Sequence, residues 1–146
     1  MAVVTSIYSA YKNDMLTAAN SWTGATVNCA LFSASTFTAG DAAYTTSGTE
    51  VASANGYTTA GGAVGTRTIT GTTTKVCKIT GAFGGGAAGT TTWTATGAGF
   101  TAVAAKLYVV ASSPIAHIDF GGSNTASGGG TFVITWDSVN GVFSLT

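Results

Sequence analysis

Apolar residues in this chain come in short runs that alternate or fill, never in a long helical rhythm, and the clearest block lies at the C-terminal end. Val103 to Ala111, Ile115 to Phe120, Thr131 to Trp136 and Val142 to Leu145 are rich in β-branched and aromatic residues. Each is bounded by turn chemistry: Ser112-Ser113-Pro114, Gly121-Gly122-Ser123-Asn124 with Gly128-Gly129-Gly130, and Asn140-Gly141. Runs closed in this way predict consecutive antiparallel strands, a β-meander, with Asn140-Gly141 joining the last two as a hairpin. In Thr131 to Trp136 the residues Phe132, Ile134 and Trp136 fall on one face and Val133 lies between threonines on the other, the alternation of a half-buried strand. Val103 to Ala111 is apolar on both faces, with Val103, Leu107 and Val109 on one, Tyr108 and Val110 on the other, and Lys106 as its single charge, which predicts a central strand.

Upstream, the pattern changes once. From Ser6 to Ala19, Ile7, Tyr8, Tyr11, Met15 and Leu16 fall near one side and Lys12, Asn13 and Asp14 near the other, which predicts an amphipathic helix over 6–19 with Ser6 as its N-cap. Thr26 to Ser33 predicts a strand, and Ala34 to Gly48 a long polar loop holding Phe37 and Tyr44, the kind of segment that commonly binds something. Further strands are expected around Glu50 to Ala52, Thr66 to Thr70, Thr73 to Thr80 and Thr91 to Ala95, with a second Asn-Gly turn at Asn55-Gly56 and another turn at Gly61-Gly62. Eight or nine short strands, with turn signals roughly every 8 to 12 residues, predict a single all-β domain over 1–146. Its expected form is an antiparallel β-sandwich or jelly-roll-like fold over 26–146 preceded by one helix. No internal repeat is present to suggest a solenoid or propeller.

Charge narrows the function. Of 146 residues, 5 are Lys or Arg and 5 are Asp or Glu, for a formal net charge of zero. Such a balance offers no basic patch for nucleic acid or for an anionic membrane. With 21 glycines and many Thr, Ser and Ala residues, it suits a subunit docked against neighbours better than a free enzyme with a self-repelling surface. No apolar run approaches the ~20 residues needed to span a bilayer, and the N-terminal residues lack a basic region followed by an apolar one, so the product is expected to be made and kept in the cytoplasm of its host cell until it is assembled or released.

The candidate chemistry is sparse. His117 is the sole histidine and Asp119, two residues on, shares its strand face; an ordinary structural pair is preferred to a general base or a metal ligand. The acids Asp14, Asp41, Glu50, Asp119 and Asp137 are scattered one to a segment and form no carboxylate pair, and the glycine triplets lack the Lys and following helix of a phosphate cradle. Cys29 and Cys77 have no ligand spacing and are expected as buried reduced thiols, with a disulfide between them as the alternative. No catalytic residue, cofactor or metal is expected. Trp136 should be buried, whereas Trp22 and Trp93 are less determined and are candidates for an interface or for a sugar platform.

The order of segments carries a resemblance. Ile7-Tyr8-Ser9-Ala10-Tyr11-Lys12-Asn13-Asp14-Met15-Leu16, Val27-Asn28-Cys29-Ala30-Leu31-Phe32-Ser33, Glu50-Val51 and Gly56-Tyr57-Thr58-Thr59-Ala60-Gly61-Gly62 are followed by Tyr108-Val109-Val110, Ile118-Asp119-Phe120-Gly121 and Phe132-Val133-Ile134-Thr135-Trp136-Asp137. Together they resemble small virion structural proteins of tailed bacteriophages, over nearly the whole chain. Thr72 to Gly99 departs from that pattern by its Gly and Thr content. The resemblance implies a capsid decoration or cement subunit on the outer surface of the head, with the major capsid protein as partner; copies of the chain are also expected to associate with one another, a trimer preferred over a dimer. Tyr8, Tyr11, Trp22, Phe37, Tyr44 and Trp93 are the expected interface residues. The rival reading is a tail-fibre or adhesin module that recognises host-surface carbohydrate.

Overall fold

A computed structural model describes residues 4–17, 21–71 and 74–145. Among these residues the chain is an antiparallel β-sandwich with one short helix. In chain order the elements are β1 (Val4–Ile7), α1 (Ser9–Leu16), β2 (Val27–Ser35), β3 (Gly48–Glu50), β4 (Gly62–Ala63), β5 (Arg67–Thr70) and β6 (Lys75–Ile79). They continue with β7 (Thr90–Thr94), β8 (Phe100–Val109), β9 (Pro114–Ala126), β10 (Thr131–Thr135) and β11 (Phe143–Leu145).

One layer is a six-stranded sheet in the order β1-β9-β8-β2-β3, with β4 sharing the outer edge of β2. As its two apolar faces predict, β8 is central, paired with β2 on one side (Val27↔Val109 through Phe32↔Ala104) and with β9 on the other. The Ser112-Ser113-Pro114 turn joins β8 to β9, and Pro114 takes the first position of β9, where its missing N–H is tolerated. The second layer consists of the pair β10-β7 and the triplet β11-β6-β5. Between the layers lies one continuous apolar core. It takes Val27, Cys29, Leu31, Ala105, Leu107, Val109 and Ile118 from the large sheet, and Cys77, Ile79, Trp93, Phe132, Ile134, Trp136 and Phe143 from the other. Phe132, Ile134 and Trp136 point inward as their alternation predicts, and the Trp136 indole N–H donates to Thr91 Oγ1 at 2.8 Å. Cys29 and Cys77 are free and buried; burial pushes the Cys77 thiol up to about 11.

Several expectations are corrected. The helix does not start at Ser6. Ser6 and Ile7 pair with His117 and Ala116 on β9, so their backbone groups are satisfied by a sheet edge that local sequence does not reveal. Tyr8 follows in an extended conformation (φ −72°, ψ 143°), its N–H bonded to the Ile115 carbonyl, and α1 begins at Ser9 with no side-chain cap. Of the expected apolar stripe, Tyr11 reaches the core and meets Phe143 edge-on at 6.2 Å, whereas Leu16 is 88% exposed. Positions 18 and 19 of the expected helix, and position 73 of the strand expected over 73–80, lie outside the described residues.

The meander also breaks after β9. β10 pairs with β7 and β11 with β6, so Asn140-Gly141 does not close a hairpin between the last two strands. Asp137 organises that connection instead, its carboxylate accepting from the N–H groups of Val139 and Asn140. Gly121 to Asn124, expected as a turn, lies inside β9, where the pairing with β8 jumps from Ala104↔Asp119 to Ala102↔Asn124. Gly121 at φ 71° and the Asp119 carboxylate accepting its N–H hold this bulge. The same irregularity turns Val103 to the face of Tyr108, away from Leu107. At Asn55-Gly56 the turn is as predicted: both residues have positive φ and Ala54 bridges Tyr57.

Candidate interaction surface

The outer face of the large sheet is not left open. Ala30 and Phe32 of β2 and Ala104 and Tyr108 of β8 form a second, smaller apolar cluster there. The connection between β2 and β3, residues 36–47, crosses it as a strap. Its ends are tied by the Thr36 N–H donating to the Ser47 carbonyl, and its middle by the Ser9 N–H donating to Ala39. Two aromatic pins fix it to the sheet: Tyr44 stacks on Tyr108 at 3.8 Å with planes 8° apart, and Phe37 packs on Tyr8 at 5.0 Å. Phe37 also lies against the His117 ring.

Beneath the strap is a buried polar group of residues. Lys106 is fully buried. Its ammonium donates to the Thr46 carbonyl of the strap and lies over the Phe32 ring at 4.7 Å and the Tyr8 ring at 5.9 Å. Burial lowers its pKa below the usual lysine value, and the buried carboxylate of Asp41 acts against that shift. Asp41 accepts from the Ser47 hydroxyl at 3.1 Å, while its Oδ2 is buried with no hydrogen-bond partner. His117 pairs through Nε2 with Ser35 Oγ at 3.1 Å. Burial, and after it the Lys106 charge, hold its pKa below 6.5, with Asp119 opposing. Asp119 itself is exposed and engaged with Gly121, so His117 and Asp119 share a face without forming an orienting pair. No group of three or more His, Cys, Asp or Glu side chains fit to hold a metal occurs among the described residues.

The six expected interface residues separate into two groups. Tyr8 and Tyr11 are fully buried, Trp22 is 2% exposed and Trp93 is 6% exposed. These four are corrected from surface to interior, because the subunit's own fold uses them. Trp22 donates to the carbonyls of Thr68 and Lys78 and meets Phe143 at 5.2 Å, and Trp93 packs among Tyr57, Phe83 and Phe132. Phe37 and Tyr44, both on the strap, keep partial exposure.

A second surface feature lies at the other side of the sandwich and is not marked by any motif. A cleft of about 620 Å³ runs along β10. Ile118 and Phe120 of β9, Thr5 of β1 and Val142 also line it. Sequence reasoning missed it because it exists only where β10 and β11, neighbours in the chain, pair with different strands.

Comparison with protein-family models, with curated proteins and with solved structures finds no match to this chain.

Proposed function

We propose that the chain is a non-enzymatic virion structural protein of a tailed bacteriophage, a capsid decoration or cement subunit. It binds the outer surface of the major capsid lattice and stabilises the head. The observation that carries this reading is the surface. Of ten charged side chains, five basic and five acidic, Lys106 is buried beneath the strap and Asp41, on the strap itself, is buried too. Meanwhile Leu16, Phe37, Ile69, Val110, Val133 and Val139 are exposed. A surface so poor in charge does little to repel a neighbour and gains from covering its apolar side chains. The strap, with Phe37 and Tyr44 presented on a polar loop whose one charged residue, Asp41, is buried, is the element assigned to the capsid contact. Copies of the chain gather as a homo-oligomer, the trimer preferred over the dimer, in a jelly-roll-type sandwich.

Each copy adds a modest increment of binding energy, and many copies on one shell add up by mass action against expansion or internal pressure. Contacts of this kind depend weakly on salt, because few charges are screened. The test is imaging of intact particles. Density for this chain over the head shell is expected, with binding that survives a rise from low to moderate salt; density confined to the tail overturns the assignment. The carbohydrate reading relied on Trp22 or Trp93 as an exposed platform, and both are buried in the core.

A further inference from the structure

We infer that copies of this chain associate in pairs through the open edge of β10, which adds antiparallel to β10 of a second copy about a two-fold axis at Val133. Among the described residues β10 pairs with β7 alone, in unbroken register from Thr131↔Thr94 to Thr135↔Thr90. The bonds that bracket this ladder, Ala95 N–H to the Gly130 carbonyl at 2.8 Å and Trp136 N–H to the Gly89 carbonyl at 2.9 Å, show which groups face β7. Even-numbered positions bond to β7. The N–H and C=O groups of Thr131, Val133 and Thr135 therefore point to the opposite edge. Beside that edge runs the cleft of about 620 Å³, which leaves room for another strand.

The edge also lacks the usual guards. β10 contains no lysine, proline or bulge, the devices by which exposed strands avoid unwanted pairing. Other outer strands are less suited: β11 and β3 have three residues each, β1 has four, and β5 carries Arg67.

The identity of the partner follows from the sequence of the edge. Thr131-x-Val133-x-Thr135 reads the same in both directions. In antiparallel self-pairing centred on Val133, valine meets valine, and each Thr131 meets Thr135 of the second copy. All three are hydrogen-bonded pairs, each exchanging two backbone bonds. Thr–Thr and Val–Val pairs of this type are favourable, and no like charges are opposed. Val133, 48% exposed in the single subunit, is covered. A five-residue ladder is a weak contact in dilute solution, and it gains strength where copies are held close together, as on a particle. This inference thus deepens the proposed self-association and adds a two-fold link to any three-fold grouping.

Cysteine trapping on the purified full chain tests it without a particle, so its outcome is separate from that of the imaging experiment. Opposed residues at a hydrogen-bonded antiparallel position have Cα atoms ~5.5 Å apart, within disulfide range. Cys29 and Cys77 are buried and do not compete. Under mild oxidation Val133→Cys should give a covalent dimer at least roughly tenfold faster than Val139→Cys, a control at a loop position that is 74% exposed. Mixing Thr131→Cys with Thr135→Cys should give a cross-linked heterodimer that neither variant forms efficiently alone. Equal rates for Val133→Cys and Val139→Cys overturn the pairing and leave the edge to an extended segment of another protein. Efficient cross-linking of Thr131→Cys by itself overturns the two-fold register. Circular dichroism of each variant separates these outcomes from misfolding, which these exposed positions should not cause.

Discussion

Leu107 and Lys106 are adjacent on β8 and equally buried, yet they belong to two differently built regions. Leu107 points between the layers, into a core of aliphatic and aromatic side chains contributed by both sheets. Lys106 points the other way, onto a face closed by residues 36–47, where an ammonium, a carboxylate and an imidazole are shut in with Phe32, Tyr8 and Tyr44. The inner face is held by apolar area, which is non-directional and spread over many residues. The outer face is held by a few directed contacts through one loop. The strap is therefore the region that can be loosened without unfolding the subunit, which suits an element that adapts to a neighbouring surface.

Breaking the inner face should have the largest effect. Leu107→Ala is expected to lower unfolding free energy by about 2 to 5 kcal/mol, since the two-layer core cannot collapse easily onto the space left. Denaturant unfolding checks this, and a loss below about 1 kcal/mol would mean that the layers are less tightly packed than described.

Replacing the neighbouring lysine should cost less globally and more locally. Lys106→Met combined with Asp41→Asn keeps the volumes and removes both buried charges, so the overall change is expected to stay below about 1.5 kcal/mol. Loss of the bond to the Thr46 carbonyl should still speed hydrogen exchange across residues 36–47. Unchanged exchange there would show that Lys106 does not tie the strap down.

Tyr44→Ala removes the stack on Tyr108 and is expected to weaken the closed strap by about 0.5 to 1.5 kcal/mol. Limited proteolysis should then cut within 36–47 while the sheet remains intact; cleavage elsewhere first would contradict the division between the two faces.

The smallest effect concerns pH. His117 has a folded pKa below its ordinary 6.5, because burial and the Lys106 charge disfavour the imidazolium. The unfolded chain then binds the proton more readily. This contribution to stability is complete above pH 6.5 and declines as the pH falls from there towards the folded value. His117→Gln should flatten the stability profile in that window relative to the unsubstituted chain. Identical slopes in the two proteins would remove His117 from the acid response.

Much of the architecture was legible because strand formation leaves a local mark. Phe132, Ile134 and Trp136 at alternate positions imply one buried face whatever the strand pairs with. The two apolar faces of β8 imply a central place for the same kind of reason. The candidate interface was legible in part: a long polar loop with two aromatics marked the strap, but nothing local distinguished Phe37 and Tyr44 from Trp22 and Trp93. Burial of an aromatic side chain depends on residues far away in sequence.

By itself, then, the sequence determined the β class, the positions of most strands, the inward aromatic face of β10 and the low charge of the surface, all of which follow from residue type and period. Tertiary structure decided the rest. Ser6 and Ile7 left the helix because β9 offered them a ladder, β10 and β11 parted because β7 and β6 were better placed partners, and Lys106 became buried because the strap closed over it. In each case the deciding term is a contact between distant segments, whose free energy exceeds the local preference and is written in no single stretch of chain.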